Sequence, residues 1–560
     1  MFTLAILASL SAPALADTYP PEAVIQNAAS VQISTEGLDA ITEMLPAVVP
    51  AEMELGDVGD DVDGNVDGWC WLDGGESGFK LEDGIVHIEL GDARITPTNG
   101  ALSLEINAMI GVNDSSRKLH FIIEEGCFGT DCTGWIDPFP VTLSTSIALE
   151  VVTGDTGDPM LDATVGDLAV DMDNEDLADA VNLGDCGLGT IWDILDFLTL
   201  GDDVLSLIPI EDMLADLGPE IETTIEDAFN QAVINEEMDI NGVPLTVQLF
   251  PNDVNVTTDG VEILMSGSTS APPADCVVAW DPGGSTRTDS AVPALAELSA
   301  GDHAAILLSD DFANQALYSL WRGGLLCYEL SGNDPLPINT SLIGLLAGDA
   351  FDELFPETKP MIIATRPRAP LEVAFDGEHA IDVPITDLGL NLYAEVDDRM
   401  ALALGLSLDG VVGVDPVFDG NTGELGIDLA LSGENITASV IHNELVTGTD
   451  EAIEENFAGV FDTLLETLIG GLISDLAFAI PGFGEVGLTS LTVDQAGDQG
   501  DWMGAYANVG PITYGGGDCG GCGGEGGGSD CSGGCASGHA PAHAFWFVLP
   551  LALVGLRRRE

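Results

Sequence analysis

The hydrophobic residues of the stretch 306–330 recur with the period of an α-helix. An apolar run ends at Ser309, a favourable N-cap, and acidic residues then fill the first turn, where the helix dipole favours negative charge. At roughly 100° per residue, one face of the predicted helix is apolar, and its members are Ala313, Ala316, Leu317, Leu320 and Gly324. Asp311, Gln315 and Arg322 fall on the opposite face. Periodicity alone favours an ordinary core helix whose small residues let it lie close to a sheet.

The stretch 31–50 repeats this arrangement near the start of the chain. Ser34 and Thr35 follow an apolar run as candidate caps. A helical stripe comes after them, formed by Leu38, Ile41, Leu45 and Val48. This weak internal repeat, with a period of about half the chain, predicts a duplicated domain.

Elsewhere a period-two alternation of apolar and polar residues predicts antiparallel strands. In the first half the alternating segments are 84–97, 100–112, 118–126 and 140–152. A helical region is predicted over 191–234, and strands return in the second half. A late helix within 456–484 carries a broad apolar stripe that includes Phe457, Phe461, Leu464 and Leu468. A plain core face is the simpler interpretation of that stripe.

Residues 1–16 have the pattern of a cleaved signal peptide. An apolar stretch ends in the small-x-small sequence Ala14-Leu15-Ala16, and cleavage there would leave Asp17 first. No Lys or Arg precedes the apolar run, which a start further upstream would explain. A buried N-terminal helix is the alternative.

The other end of the chain carries a separate signal. A Gly- and Cys-rich spacer over 509–541 precedes a hydrophobic segment and an Arg cluster over 542–560. The apolar run is short for a spanning helix, and basic residues after it suit the inner side of a membrane. This order of features resembles the bacterial C-terminal sorting tails called MYXO-CTERM. The resemblance implies export to the cell surface or outer membrane, with the chain anchored by the tail or released by processing. Zinc binding by the tail cysteines is the weaker alternative.

The charge of the chain excludes some partners. Its 560 residues include 13 Lys and Arg against 95 Asp and Glu, a formal net charge of −82. Such a field repels nucleic acid and anionic membrane surfaces, so no nucleic-acid partner is expected. The acid is spread along the whole chain, which favours solubility in salty surroundings. With 46% hydrophobic residues, the chain is expected to bury a large core.

The stretch 55–68 is dense in carboxylates and contains the start of a calcium-loop pattern. The candidate ligands are Asp61, Asp63, Asn65 and Asp67. Alternate side chains of this kind converge on one ion in calcium loops. The twelfth position is Gly74 rather than Glu, so the bidentate ligand is absent. Calcium is therefore a candidate cofactor, no cofactor is required, and a solvated acidic loop is the alternative.

The body of the chain has an even number of cysteines, which behind a signal peptide predicts disulfides. They are Cys70, Cys127, Cys132, Cys186, Cys276 and Cys327. Sequence alone leaves the connectivity open. Cys276 with Cys327 is the one pair favoured here, since both lie around the start of the second half.

Enzyme signatures are absent from the sequence. It contains no Gly-x-Ser-x-Gly elbow, no His-Glu-x-x-His helix and no phosphate loop, and its seven His are scattered. Enzymatic activity is therefore not expected.

The run from Ser309 to Leu330, SDDFANQALYSLWRGGLLCYEL, resembles the start of the second half of the bactericidal/permeability-increasing and lipopolysaccharide-binding protein family, part of the wider tubular lipid-binding (TULIP) group. Further stretches fit that family in order: 336–356, 361–375, 383–398 and 456–484. The resemblance implies an elongated α+β fold of two tandem TULIP-like domains, each a twisted antiparallel sheet wrapped around long helices. The implied lipid-binding domains are 29–265 and 302–508, joined by a Ser- and Pro-rich linker at 266–301.

The same resemblance implies a secreted protein that holds or carries acyl-chain lipids between its helix faces and its sheets. The residues implied to contact lipid are Leu38, Ile41, Leu45, Leu317, Leu320, Phe457, Phe461, Leu464 and Leu468. The family's lipopolysaccharide binding uses a basic surface, which this chain lacks. A neutral, zwitterionic or cation-bridged lipid is therefore expected. The alternative function is a structural or adhesive cell-surface protein of the same fold, able to bind calcium but with no lipid ligand.

Overall fold

The computed structural model describes the greater part of the chain between residues 18 and 511. The described residues are 18–42, 52–54, 58–59, 76–126, 128–154, 157–173, 176, 179–183, 222, 233–288, 291–298, 301–331, 338–341, 344, 355–420, 422, 424–430, 435–445, 449–458, 478–479, 486–497 and 500–511.

Strands make up most of these residues. In chain order they are β1 (Thr18–Tyr19), β2 (Ile25–Ser34), β3 (Glu52–Glu54), β4 (Val58–Gly59), β5 (Glu76–Glu82), β6 (Ile85–Thr98), β7 (Ala101–Val112), β8 (Leu119–Gly126), β9 (Phe128–Thr153), β10 (Pro159–Val165), β11 (Ala169–Met172), β12 (Val181–Leu183), β13 (Ile234–Ile240), β14 (Val243–Thr257), β15 (Gly260–Ser270), β16 (Ser285–Thr286), β17 (Ala304–Ser309), β18 (Glu329–Ser331), β19 (Met361–Pro367), β20 (Ile381–Val396), β21 (Arg399–Asp419), β22 (Glu424–Ala430), β23 (Ile436–His442), β24 (Phe478–Ala479), β25 (Val486–Ala496) and β26 (Trp502–Pro511).

The helices of the described residues are few and short. They are α1 (Thr35–Thr42), α2 (Asp310–Arg322), the helical residues 450–458, called α3, and the 3₁₀ turns Val278–Trp280 and Leu295–Glu297. Within the described ranges, every helix is too short or too polar to cross a membrane.

The predicted α+β fold of sheets wrapped around long helices is wrong. The fold is mostly β-sheet, with 62% of the described residues in strands and 13% helical, and its sheets curl into half-barrels. The reason is the extent of the period-two alternation, which supports strands as long as the 26 residues of β9. Sheets also cover each other, because β14 packs on β9 and β10, whereas the prediction had long helices cover the sheets. Most of the predicted helical region 191–234 lies outside the described residues.

The central sheet has seven strands and combines both halves of the chain. Its order is β13-β14-β15-β2-β17-β26-β25, so that β2 of the first half pairs with β17 of the second. The pairing is antiparallel, with Ile33 opposite Ala304. Residues 266–270 of the predicted linker belong to β15 of this sheet. The predicted domain boundaries themselves stay a prediction.

Two further large sheets, one of ten strands and one of seven, belong to the two halves of the chain. The sheet of the first half has the order β3-β6-β7-β9-β8-β5-β4, and β10, β11 and β12 also pair with β9. The sheet of the second half has the order β18-β19-β20-β21-β22-β24, and β23 also pairs with β21. Register shifts interrupt β6–β7 between Leu90 and Ala93 and β20–β21 between Ile385 and Leu388. Each such bulge bends its strand and increases the local twist, which accounts for the curling.

Helix α2 packs on the central sheet and is buried on all sides except at Arg322. Ser309 caps it as predicted, accepting a hydrogen bond from the Phe312 backbone N–H at 3.2 Å. Asp311 and Gln315 of the predicted polar face are buried as well, and their side chains are hydrogen-bonded. Gln315 accepts from the Thr269 N–H at 2.7 Å and donates to the Ala23 carbonyl at 2.8 Å. A buried polar face is stable only because such partners replace water.

The first turn of α2 buries two carboxyl groups, those of Asp310 and Asp311. The Thr288 hydroxyl donates to both, at 2.9 Å to Asp310 and 3.3 Å to Asp311. Burial raises the pKa of Asp310 to about 6, against the lowering effect of the Thr288 hydrogen bond, and the negative charges of Asp311 and Asp501 add to the rise. Burial also raises the pKa of Asp311 and of Asp501, while Arg287 lowers that of Asp311.

We expect Gly267→Ala to destabilise the contact between β15 and α2. A Cβ at Gly267 would lie 2.7 Å from Phe312 Cε2 and 2.8 Å from the Gln248 carbonyl oxygen. Overpacking of this kind lowers the free energy of unfolding by about 1–3 kcal/mol. Gly426→Ala is the matched control, because its Cβ would meet only the Val417 oxygen, at 3.7 Å. Urea unfolding of both variants measures the difference, and equal midpoints would contradict close packing at Gly267.

We expect Asp310→Asn to stabilise the protein at pH 7 but hardly at pH 4. The folded chain holds the proton of Asp310 up to about pH 6, whereas 3.8 is the ordinary pKa. The raised pKa of Asp310 therefore stabilises the folded chain fully below pH 4. This contribution to the free energy of unfolding, up to about 3 kcal/mol, is lost as pH rises through 6. Denaturant unfolding at several pH values checks this. The matched control is Asp259→Asn, which removes a charge on the exposed turn between β14 and β15, away from α2. The same pH profile in both variants would show that general charge repulsion is the cause.

Candidate functional site

The sheet of the first half has an apolar inner face, called the N-terminal trough. Along β7 every second residue is buried, and all of these residues are aliphatic: Leu102, Leu104, Ile106, Ala108 and Ile110. The opposing β9 residues continue the face, with Ile147 opposite Leu102 and Leu143 opposite Ile106. Thr145 of β9 is a polar residue on this inner face, and its hydroxyl donates a hydrogen bond to the Gly166 carbonyl at 2.9 Å. The inner face therefore offers dispersion contacts and no unpaired polar group at this position.

Two elements lie over the N-terminal trough. Strand β14 packs on β9 and β10 and contributes alternate buried residues, Val243, Leu245, Val247 and Leu249. Helix α1 packs on β6. Its Leu38 is buried and its Ile41 half-buried in the same hydrophobic cluster. Thr42 closes the described part of this helix by donating to the Leu38 carbonyl at 2.7 Å.

The sheet of the second half has a matching inner face, called the C-terminal trough. Its cross-strand rows are aliphatic: Ile363–Leu392–Leu404, Leu390–Leu406–Val440 and Leu388–Leu408–Ala438. Helix α3 places Ile453 and Phe457, one helical turn apart, in this cluster. Both are buried, whereas Glu451 and Glu455 are exposed, so the helix is amphipathic.

Two hydrogen bonds fix the position of α3 against β23. The Glu454 carboxylate accepts from the Val440 backbone N–H at 2.8 Å. The Asn443 side chain donates to Asp450 at 2.8 Å in the first turn of the helix. Because Val440 also belongs to the inner face, these bonds hold the apolar side of α3 over the trough.

The two troughs carry no buried charge in the part of the chain that the structure describes. Among those residues the buried charged side chains are Asp310 and Asp311, and both lie at α2. Nor does any group of three or more His, Cys, Asp or Glu in the described ranges lie where it could hold a metal ion. The arrangement of the described residues can bind apolar groups.

The residues predicted to contact lipid divide between the clusters. Leu38, Ile41, Leu317 and Leu320 belong to the cluster of the first half and the central sheet, and Phe457 belongs to that of the second half. Leu45, Phe461, Leu464 and Leu468 lie outside the described residues, as do the calcium candidates Asp61, Asp63, Asn65 and Asp67. Their roles stay predictions.

Sequence reasoning overlooked the strand residues of the C-terminal trough. Leu404, Leu406 and Leu408 alternate in the sequence, a signal that was available. Their pairing with β20 and β23 was not readable, because it depends on bulges between Leu392 and Tyr393 and between Gly405 and Leu406.

The predicted disulfide between Cys276 and Cys327 is confirmed, with the two Cα atoms 6.4 Å apart. Cys132 is also disulfide-bonded. Cys70, Cys127 and Cys186 lie outside the described residues.

Comparisons with known proteins add limited information. No family model matches the chain, and no curated protein matches it. A crystal structure of lipopolysaccharide binding protein superposes with a TM-score of 0.47 at 13% identity, covering 87% of this chain and all of that one. The crystal structure of P47 of Clostridium botulinum E1 gives a TM-score of 0.23 at 11% identity, covering 88% of this chain. Superpositions with TM-scores below 0.5 establish neither a family nor a ligand.

We expect the double variant Cys276→Ala, Cys327→Ala to fold with a lower melting temperature. The bond closes a loop with a sequence separation of 51, and a loop of that length contributes about 4 kcal/mol in the chain-entropy account. Thermal melting under non-reducing conditions measures the loss. Reductant would open other disulfides as well, so it does not isolate this one. Each single variant also lacks the Cys276–Cys327 bond and should melt at about the same temperature as the double variant. An unchanged melting temperature would contradict a stabilising role.

Proposed function

We propose that the protein holds acyl-chain lipids in the N-terminal and C-terminal troughs. One observation carries the proposal. Each half of the chain forms a sheet curled into a half-barrel, and its inner face is lined by aliphatic side chains. A concave apolar surface of this kind matches the shape and the chemistry of a hydrocarbon chain.

The energetics suit acyl chains. Each buried methylene contributes about 0.8 kcal/mol, so a long chain is held without specific polar contacts. Since the described inner faces bury no charge, a charged headgroup would have to stay at the surface of the trough. The net charge of −82 opposes anionic headgroups there. A neutral, zwitterionic or cation-bridged lipid therefore fits best.

The cellular setting is part of the proposal. The signal-like residues 1–16 and the part of the tail beyond Pro511 lie outside the described residues, and their sequence supports export to the cell surface or outer membrane. The tail would be the contact with the membrane, whether it is retained or processed. No enzymatic step is proposed, and calcium at 61–67 would be a structural addition rather than a requirement.

A second function, a structural or adhesive surface protein without lipid, is favoured by one specific observation. The close approach of β15 to α2 at Gly267 leaves no space around this part of the core. Leu317 and Leu320 lie on that helix, are almost fully buried, and are well explained as close-packed residues. The two functions differ in whether the troughs are filled by side chains or by ligand.

We expect lipid to co-purify with the unaltered protein. After this lipid is removed, we expect a fluorescent fatty-acyl probe to bind in its place. Native mass spectrometry detects the first, and probe titration the second. Ala394→Leu adds bulk to the C-terminal trough and should reduce probe binding while stability changes by less than about 1 kcal/mol, because a cavity accepts volume that a packed core does not.

Ala305→Leu is the matched control. Both alanines are fully buried on strands, and Ala305 lies in the small cluster around Trp502, away from the troughs. It should cost about 1–3 kcal/mol. Absence of co-purified lipid together with absence of probe binding by the unaltered protein would reject the proposal in favour of the structural function.

A further inference from the structure

An exposed apolar surface lies at the C-terminal end of α2, on both sides of the disulfide. Val278 is 55% exposed and Trp280 41%, on the loop that follows Cys276. Tyr328 is 37% exposed and Leu330 38%, on the segment that follows Cys327. The two cysteine Cα atoms are 6.4 Å apart, so the disulfide holds these segments side by side. The four residues are called the aromatic patch. Val278 and Trp280 are far in sequence from Tyr328 and Leu330, so the exposure of the four is not that of a single hydrophobic turn.

The loop that carries Val278 and Trp280 is fixed at both ends. The Ala274 N–H donates to the Arg322 carbonyl at 2.8 Å, where α2 ends. At the other end, Asp281 accepts from the Tyr318 hydroxyl at 2.7 Å and pairs with Arg322 at 3.3 Å. Between these anchors Val277 is fully buried against Tyr318 and Trp321. The loop therefore buries one valine and holds the next apolar residues outward.

The segment after Cys327 is also held in place. The Tyr328 N–H donates to the Thr365 hydroxyl at 2.8 Å, and β18 pairs with β19 at the edge of the sheet of the second half. Tyr328 and Leu330 are two residues apart on extended backbone, so they point to the same side. Exposed apolar side chains that are rigidly presented mark an interaction surface more often than scattered ones do.

Charge distinguishes between the partners that this surface fits. Arg322 is paired with Asp281, and Arg366 with Glu329 at 2.9 Å, so the surroundings of the patch are close to neutral. The rest of the chain is strongly acidic, with a net charge of −82. A second copy and an anionic membrane would both be repelled by the net charge of the whole chain as they approach. A zwitterionic bilayer carries no net charge and escapes this repulsion, and its ammonium groups complement the exposed carboxylate of Asp275.

We propose that the aromatic patch docks the protein onto the interface of a zwitterionic lipid bilayer. Trp and Tyr are the side chains that favour the headgroup region, where an apolar ring and a polar edge are both accommodated. Val278 and Leu330 would enter the boundary with the acyl chains. The docking does not depend on whether lipid occupies the troughs.

The test uses the full chain with phosphatidylcholine vesicles whose acyl chains are brominated, so that a tryptophan that enters the bilayer is quenched. Trp280→Phe identifies the contribution of Trp280, because every other tryptophan, including that of the tail, is unchanged. We expect the unaltered protein to lose more fluorescence than Trp280→Phe does. Equal quenching of the two proteins would overturn the proposal.

Val278→Asp and Val417→Asp form a matched pair, since both valines are 55% exposed and only the first lies in the patch. We expect Val278→Asp to weaken the vesicle dependence of Trp280 quenching roughly tenfold and Val417→Asp to leave it unchanged. Equal effects would overturn the proposal. Leu330→Asp is the second variant if Val278→Asp melts at a lower temperature than Val417→Asp.

Two further measurements distinguish membrane docking from self-association and from lipid binding in the troughs. Sedimentation velocity shows whether the patch joins two copies, and an assembly lost in Val278→Asp would overturn membrane docking. Acyl-probe binding without vesicles is expected to survive in Val278→Asp. If the unaltered protein binds no probe but Trp280 is still quenched by vesicles, the proposed function fails and the docking stands.

Discussion

The antiparallel pairing of β2 with β17 is the interaction on which the rest of the structure depends. These strands are some 270 residues apart in sequence, and each has its other neighbour from its own half, β15 for β2 and β26 for β17. The pairing therefore turns two partial sheets into one. Its register also places α2, because the Ser309 hydroxyl that caps the helix donates to the Ala28 carbonyl on β2 at 3.0 Å. Closing so long a loop is entropically unfavourable, and only the cooperative sheet and helix contacts that follow can offset it.

The buried polar face of α2 makes that dependence specific. Its partners come from distant segments, Thr269 on β15 for Gln315 and Ser319, and the Val373 N–H for Asn314 at 2.8 Å. A shift of any of these segments would leave a buried polar group unpaired, which costs more than the bond itself contributes. The carboxyl groups of Asp310 and Asp311 are a partial exception. The helix dipole and the Thr288 hydroxyl stabilise their ionised forms, and burial opposes them.

Local features of the fold could be predicted from the sequence, and features that depend on distant partners could not. The cap at Ser309, the extent of α2 and the alternation of the strands all follow from neighbouring residues. The Cys276–Cys327 pair was also anticipated from position. In contrast, Gln315 was assigned to a polar face opposite the core, because its partners Thr269 and Ala23 lie far away in sequence. The balance of sheet over helix was wrong for the same reason, since nothing local shows that β14 would cover β9. The troughs were anticipated only as helix stripes, and the part played by Leu404 and Leu406 required the register of β21.

Electrostatics decides which of the apolar surfaces can be used. With 95 acidic against 13 basic residues, the protein repels anions and copies of itself at distances up to the Debye length, about 8 Å at physiological salt. Apolar attraction acts only at contact, so a partner must first pass through that field. Where Arg322 and Arg366 neutralise nearby carboxylates, the field is weakened, and these two residues flank the aromatic patch. These scarce basic side chains thus weaken the repulsion next to the aromatic patch, and a neutral or zwitterionic partner is the kind that can approach there.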